Sequence, residues 1–286
     1  MARLDYSPDR IRRVAARARL LQVESLARVG VGHLGGCLSC TDILAALYFS
    51  AMDVDPCSPR DPARDRLVLS KGHAGPALYS ILALRGFFPV DLLATINEGG
   101  TDLPSHVDMN RTPGVDMTAG SLGQGISAAC GMAYAAKLGR RNHHIYCIVG
   151  DGECQEGEVW EAAMAAAAFG LDNLTVISDY NKLQIDGFVQ DVVSLEPFAD
   201  KWRSFGWRVM EIDGHSIEGI LCALAAAREG SGGPACIIAH TTKGKGLPSA
   251  ENKIANHNMT VTSEHAIELK ASLAPYLTGG TGNEYS

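Results

Sequence analysis

The second half of the chain alternates short apolar runs with longer runs of helical composition. The apolar runs, from IYCIVG to ACIIAH, occupy residues 145–150, 174–179, 207–212 and 235–240. Helical runs separate them around residues 155–169, 194–205 and 216–229. The apolar runs lack a strict apolar–polar alternation, which is typical of strands buried on both faces of a parallel sheet. Because right-handed crossovers place helices on both sides of such a sheet, we expect an α/β fold with a doubly wound, mainly parallel sheet.

The first half is less regular. An amphipathic helix is predicted over residues 9–28, with its arginines on a solvated face or in a subunit contact, and a second helix over 41–50. A short strand is predicted at 66–69. Residues 97–120 are polar, punctuated by Gly and Pro and without periodicity, and loops of that length usually have a function. With no repeat or linker, the sequence predicts one domain, 1–286, that includes the N-terminal helix and this loop.

Charge and apolar content exclude several classes of protein. The net charge of −7 argues against binding along a nucleic acid backbone, and 46% hydrophobic residues argue against disorder. No apolar run approaches the roughly 20 residues of a membrane span, and the N-terminus has no signal-peptide pattern, so we expect a cytoplasmic protein. Cys37 and Cys40 form a CxxC with no second pair at zinc-finger spacing, so the cysteines are expected mostly as reduced core residues.

Two polar clusters directly follow neighbouring predicted strands. Asp151 lies in a Gly-Asp-Gly after the strand at 145–150, and Asn181 follows the strand at 174–179. Since the carboxyl ends of adjacent parallel strands share one edge of the sheet, we expect these two side chains to converge. A carboxylate with an amide oxygen suits magnesium, and the glycines let backbone approach an anion. The pattern favours a magnesium–diphosphate site, although a Gly-Asp-Gly by itself is also a common turn.

Residues 150–187, GDGECQEGEVWEAAMAAAAFGLDNLTVISDYNKLQIDG, resemble the thiamine diphosphate signature of transketolases. Four further segments match the same family in the same order: GHLGG (32–36), SKGHA (70–74), TAGSLGQGI (118–126) and TKGKG (242–246). Transketolases normally continue into a pyrimidine-binding domain and a C-terminal domain, whereas this sequence ends at Ser286. The chain is therefore similar to the N-terminal, diphosphate-binding subunit of a split, two-component transketolase.

The resemblance implies thiamine diphosphate and Mg²⁺ as cofactors and assigns residues to them. The expected magnesium ligands are the side chains of Asp151 and Asn181 and the carbonyl of Leu183. The expected thiamine diphosphate contacts are His73, Gly120, Ser121, Leu122, Asp151, Gly152, Glu153, Asn181, Lys243 and His257. The expected catalytic residues are His33, His106, His257 and Glu156. The three histidines would face the donor's hydroxyls and the transferred fragment, and Glu156 would couple cofactors across a dimer.

The implied activity is transfer of a two-carbon ketol unit from a ketose or ketose phosphate to an aldose. It would require a separate subunit carrying the pyrimidine-binding and C-terminal domains, with a heterotetramer as the expected assembly. Two alternatives stay open: a related enzyme for a deoxy, branched or sulfonated sugar or a biosynthetic C–C ligation, and a non-catalytic interaction subunit. Structural roles also stay open for four basic residues. Lys243 and Lys245 would be surface charges, and His143 and His144 would be solvated or hydrogen-bonded residues of a polar turn.

Overall fold

The structure, a computed structural model, describes residues 4–230 and 232–277, and its centre is a five-stranded parallel sheet. The strands among these residues are β1 (Val31–Gly32), β2 (Arg66–Leu69), β3 (Ile145–Gly150), β4 (Leu174–Tyr180), β5 (Arg208–Asp213), β6 (Ala235–His240) and β7 (Met259–Thr260). The order in the large sheet is β2-β3-β4-β6-β5, and every neighbouring pair is parallel. β1 and β7 form a separate antiparallel pair.

Helices connect and cover these strands. Within the described ranges they are α1 (Pro8–Val29), α2 (Leu34–Ser39), α3 (Thr41–Ala46), α4 (Gly75–Arg85), α5 (Gln124–Leu138), α6 (Gly157–Ala168), α7 (Val189–Val192), α8 (Phe198–Ser204), α9 (Ile217–Glu229), α10 (Ser263–Ser272) and α11 (Ala274–Leu277). Ser7 caps α1 by accepting a hydrogen bond from the N–H of Arg10, and Pro8 follows it at the first helical position.

The sheet has a hydrophobic core on each face, which confirms the predicted doubly wound α/β fold. On one face Tyr146, Ile148 and Ile237 pack with the helices α1, α3, α4 and α9. On the other face Cys147 and Val176 pack with α5, α6 and α8. The side chains of β3 are therefore buried on both faces of the sheet, which explains why its sequence shows no apolar–polar alternation. The predicted single domain, 1–286, also covers positions 1–3, 231 and 278–286, which lie outside the described residues.

Several predicted elements differ from the structure. β5 lies at an edge of the sheet and its residues are half-buried or exposed, so it is not a strand buried on both faces. The helix expected over 194–205 begins only at Phe198, because the residue before Pro197 is disfavoured in helical conformation. The predicted second helix, 41–50, is α-helical only to Ala46 and continues as a π-helix over Leu47–Ala51.

Two histidines and one arginine with expected structural roles are buried. His143 and His144, in the turn before β3, are 6% and 4% exposed. The His144 ring hydrogen-bonds the Thr175 hydroxyl at 2.8 Å, and the backbone N–H of His144 donates to Asp65 at 2.7 Å. On α1, the Arg19 guanidinium donates to both carboxylate oxygens of Asp42, at 2.6 and 2.9 Å. Burial of His144 and Arg19 is possible because each has a polar partner inside the protein.

All eight cysteines are free thiols, and six of them are buried, as expected of core residues. Cys37 and Cys40 lie at the base of α2, where burial raises the pKa of Cys40 to about 11 and raises that of Cys37 further. Neither thiol is therefore ionised at neutral pH. None of the helices in residues 4–230 and 232–277 is both long enough and apolar enough to cross a bilayer.

Burial of His144 makes the stability of the fold depend on pH. Burial, reinforced by the positive charge of Arg228, lowers the pKa of His144 to about 4. Between that value and the ordinary value of 6.5 the unfolded chain binds more protons, so the free energy of unfolding falls as the pH falls through this window. A shift of this size corresponds to about 3 kcal/mol.

We expect His144→Gln to flatten this decline, since glutamine does not titrate. Urea unfolding at several pH values between 4 and 7 would measure it against the unmodified chain. An equally steep decline in both proteins would contradict the assignment to His144.

Candidate cofactor site

Asp151 and Asn181 lie close together at the carboxyl-terminal ends of two neighbouring strands, as the sequence predicted. β3 and β4 are adjacent and parallel, and Gly150 lies opposite Asp179 in the register. Asp151 therefore leaves β3 beside the point where Asn181 leaves β4. The Asp151 carboxylate accepts hydrogen bonds from the N–H of Gly152, at 2.8 Å, and from the N–H of Lys182 in the next loop. This second hydrogen bond directly joins two loops whose bonded residues are 31 positions apart in the sequence.

Asp151 is a buried carboxylate with no bonded side-chain cation among the described residues. It is 1% exposed, and burial together with the negative charge of Asp179 raises its pKa to about 7. A divalent cation beside it would compensate the charge that burial disfavours. Asn181 is 7% exposed, and its side-chain oxygen accepts the N–H of Leu183 at 3.1 Å. These oxygen donors fit the few protein ligands that magnesium takes when phosphate oxygens complete its shell.

No group of three or more His, Cys, Asp or Glu side chains in the described part of the chain is arranged to hold a metal alone. The three expected ligands are of another kind, because they are one carboxylate, one amide oxygen and one backbone carbonyl. The Leu183 carbonyl accepts a hydrogen bond from Lys243 Nζ at 3.3 Å. This contact uses one of the two lone pairs of the carbonyl oxygen, so the other is left for a metal.

A cavity of about 200 Å³ opens above these residues. Its walls are Gly36, Lys71, His73, Leu122, Gly150, Asp151, Gly152, Glu153, Gln155, Glu156, Asn181, Leu183, Gln184, Ile185, Lys243 and His257. At Gly152 a Cβ atom would come within 2.8 Å of the Gln184 side chain, so glycine keeps this wall open. Gly120 and Ser121 are exposed and lie outside this lining, and a Cβ at Gly120 would be 3.9 Å from the His106 ring.

Lys71, which lines the cavity, belongs to an ion pair that sequence reasoning missed. Asp179, at the end of β4, is fully buried and pairs with Lys71. Its carboxylate also accepts hydrogen bonds from the Ser39 hydroxyl at 2.6 Å, from Asn181 Nδ2 at 3.2 Å and from the Thr241 hydroxyl. Burial alone would raise the pKa of Asp179, but the charge of Lys71 lowers it overall. The sequence did contain a signal for this pair, since the SKGHA segment carries a lysine beside its glycine as well as the histidine assigned to the cofactor.

Glu153 joins the Gly-Asp-Gly loop to the segment at 118–126. It is 3% exposed, and its carboxylate accepts hydrogen bonds from the N–H groups of Gly123 and Gly150, both at 2.9 Å, and from the Ser70 hydroxyl. Burial raises its pKa. All of these partners belong to the protein, so Glu153 holds together the loops that form the wall.

Four histidines from distant parts of the chain lie together beside the cavity. The ring of His33 is 5.3 Å from that of His73, 5.5 Å from that of His257 and 5.6 Å from that of His106. His73 and His257 are 5.2 Å apart. Burial lowers the pKa of His33 and of His73, and lowers that of His257 to about 4. These three rings are therefore neutral near pH 7, and each offers one donor and one acceptor.

Glu156 and Lys243 border the same cavity. Glu156 is exposed at the start of α6. Lys243 is 2% exposed, which removes the surface-charge interpretation, and its Nζ is 3.4 Å from His257 Nδ1. Burial lowers the pKa of Lys243 to about 8. Lys245, two residues later, is half-buried beside Arg19 and Asp42, away from this cavity.

We expect Lys71→Met to lower the free energy of unfolding by about 3–5 kcal/mol, because it leaves the buried carboxylate of Asp179 without its cation. The matched control is Lys137→Met, which breaks the exposed pair with Asp172 and should change stability by less than about 1 kcal/mol. Chemical denaturation of both variants measures the difference. Similar effects from the two substitutions would show that the Lys71–Asp179 pair does not stabilise the site.

Comparison with known proteins gives consistent matches along nearly the whole chain. The family described as "Transketolase, thiamine diphosphate binding domain" matches residues 11–275. A 6-deoxy-6-sulfo-D-fructose transketolase subunit of a Clostridium species is 55% identical over 86% of this chain and 90% of its own. One of the apulose-4-phosphate transketolase subunits, from Phocaeicola vulgatus, is 41% identical over 87% of each chain.

Among solved structures, the transketolase of Campylobacter jejuni superposes on 92% of this chain with a TM-score of 0.87 and 33% identity. The matched part is 42% of that chain, so the present chain spans less than half the length of this relative.

Proposed function

Because this chain belongs to the transketolase family, we propose that it is the thiamine diphosphate-binding subunit of a two-component transketolase. The reaction would transfer a two-carbon ketol unit from a ketose to an aldose. The observation that carries the proposal is the convergence of Asp151 and Asn181 at the sheet edge, next to the four clustered histidines. A catalytic role is favoured over a scaffold role, since a scaffold has no use for a buried carboxylate that lacks a cation.

The relatives support a divided enzyme. The chain covers 90% and 87% of two relatives that are named as transketolase subunits, but only 42% of the Campylobacter transketolase. We therefore propose a partner subunit with the pyrimidine-binding and C-terminal domains, and a heterotetramer as the assembly. Within it, residues 1–286 of this chain would form the single diphosphate-binding domain. The cytoplasmic location stays a prediction from the sequence.

Each loop at the cavity has a proposed part in holding the cofactor. Asp151, Asn181 and the Leu183 carbonyl would bind Mg²⁺, and Lys243 would turn from Leu183 towards the diphosphate. Gly152 would contact the diphosphate through its backbone, since it has no side chain of its own. The remaining proposed cofactor contacts are His73, Gly120, Ser121, Leu122, Glu153 and His257. When bound, thiamine diphosphate supplies the electron sink for the carbanion chemistry.

The histidines would handle the substrate. His33, His106 and His257 border one space and come from three separate segments, so they can bind successive hydroxyls of one sugar. Because His33 and His257 are neutral near pH 7, each can accept a proton from a hydroxyl and return it. Glu156, exposed at the cavity rim, is proposed to couple the cofactor sites of two copies.

For the donor we propose a specialised ketose, with 6-deoxy-6-sulfo-D-fructose as the first candidate. The observation that favours it is the higher identity to the subunit named for that sugar, 55%, than to the apulose-4-phosphate subunit, 41%. Both sugars carry an anionic group, which is a sulfonate in one and a phosphate in the other. The residues proposed to act at the reacting carbons can therefore be the same for either sugar.

The test combines the purified chain with the candidate partner subunit, thiamine diphosphate and Mg²⁺, and follows ketol transfer to an aldose. We expect transfer by the mixture and none by either chain alone, with 6-deoxy-6-sulfo-D-fructose used more efficiently than fructose 6-phosphate or apulose 4-phosphate. Full activity of the lone chain would contradict the division of the enzyme. A preference for one of the phosphates would overturn the donor assignment.

We expect Asp151→Ala to weaken Mg²⁺-dependent binding of thiamine diphosphate by at least about 100-fold, since loss of outer-shell partners alone costs about 10–100-fold. The free energy of unfolding should not fall, because the substitution removes a carboxylate whose burial is unfavourable. Asp186→Ala, an exposed carboxylate in the neighbouring loop, is the control. Calorimetric titration of the complex of both chains measures both variants, and unchanged metal dependence in Asp151→Ala would remove this residue from the site.

A further inference from the structure

The segment that carries Lys243 is fastened at three successive residues. The Thr241 hydroxyl donates to Asp179, the buried partner of the cavity-lining residue Lys71. The Thr242 N–H donates to Nε2 of His215 at 2.8 Å. Lys243 then reaches the cavity, with Nζ 3.3 Å from the Leu183 carbonyl. The backbone at Thr242 therefore connects the end of the sheet to Lys243, the lysine that borders the cofactor cavity.

His215, whose side chain is half-buried, belongs to a chain of polar contacts outside that cavity. It lies in the turn between β5 and α9, and its Nδ1 is 2.8 Å from Asp42 Oδ2. Asp42 is in turn held by the guanidinium of Arg19, and its side chain is 9% exposed. The pKa of Asp42, which burial alone would raise, is lowered overall by the charge of Arg19. Asp42 is thus an ionised acceptor at neutral pH.

The partners of the ring fix its tautomer. A backbone N–H is a donor, so the Nε2 that faces Thr242 must be the unprotonated acceptor. The proton is then on Nδ1, where the Asp42 carboxylate accepts it. Arg19 and Asp42 therefore set both the orientation of the imidazole and the polarity of the atom that it presents to Thr242.

The backbone around this contact has little freedom to shift. A Cβ atom at Gly214 would lie 2.4 Å from the Thr241 side chain, so the turn and the segment are packed closely. Gly244 has a φ of +82°, and its N–H donates to the Gly35 carbonyl at 3.0 Å. With both ends held, the position of Thr242 decides where the side chain of Lys243 begins.

We propose that His215 is a positioning residue of the cofactor site: held by Asp42 and Arg19, it fixes the backbone at Thr242 so that Lys243 points into the cavity. The inference rests on the proposed function, because it assigns His215 to the binding of thiamine diphosphate through Lys243. His215 itself is not among the residues that line the cavity.

The test is calorimetric titration of thiamine diphosphate, at saturating Mg²⁺, into the complex of this chain with its partner subunit. His215→Leu removes both polar contacts and should weaken binding by about 10-fold or more, the range seen when outer-shell partners are lost. His215→Gln keeps one amide donor and one acceptor and should stay within about threefold of the unmodified protein. The matched control is His240→Leu, at the end of β6, whose ring pairs with Glu211 and has a 43% exposed side chain.

A second measurement separates positioning from general stability. If His215 acts through Lys243, adding His215→Leu to Lys243→Met should weaken binding by less than about twofold, because contacts in one chain of interactions are not additive. Should the leucine variant fail to fold, His215→Asn replaces it, since its shorter amide does not span Asp42 and Thr242.

The outcomes separate the two proposals. Absence of binding by the unmodified complex would overturn the proposed function, and this inference with it. Normal binding by His215→Leu, equal losses in His215→Leu and His215→Gln, or an undiminished loss on the Lys243→Met background would each overturn the inference alone.

Discussion

The buried ion pair between Lys71 and Asp179 is the interaction on which the site depends. Asp179 ends a central strand and has no contact with solvent, so its charge must be balanced within the protein. The groups that balance it come from the helix at Ser39, from the loop at Lys71 and from Thr241 after β6. Each of these segments also carries a residue that borders the cavity or lies next to one. A single desolvated carboxylate therefore sets the relative positions of loops that the sequence places far apart.

Two neighbouring buried carboxylates have pKa values that are shifted in opposite directions. Asp179 is compensated by Lys71, which keeps its pKa low, whereas Asp151 is bonded to backbone amides and its pKa is raised to about 7. One buried carboxylate is thus balanced by a bonded side-chain cation, and the other has none among the described residues. The bases differ in the same way, since Lys71 is paired with Asp179. Lys243, His73 and His257 also line the cavity, but their pKa values are lowered. Groups whose pKa values are strongly shifted by burial and by a charged neighbour are common at functional sites.

The arrangement suits an enzyme that is divided between two chains. This chain supplies the carboxyl-terminal strand ends, the oxygen donors and the histidine cluster, and Asp151, Asn181 and His257 line one cavity. A partner that covers the opening would complete the site and exclude water, so cofactor binding and association of the two chains would support each other. The chain of Arg19, Asp42 and His215 lies behind this opening, where it acts on the loop geometry before any partner is present.

The sequence by itself determined the sheet, since apolar runs without alternation specify strands buried on both sides and helical runs between them specify the crossovers. It also indicated Asp151, Asn181 and the four histidines, because their motifs are local. It did not reveal the buried ion pair, the role of Glu153 in joining loops or the burial of His144 and Arg19. These depend on partners more than twenty positions away, and in each case the partner is chosen by how strands and helices pack. Only the tertiary structure decides which charges are removed from water, because burial is a property of the packed chain and is not encoded in any short segment.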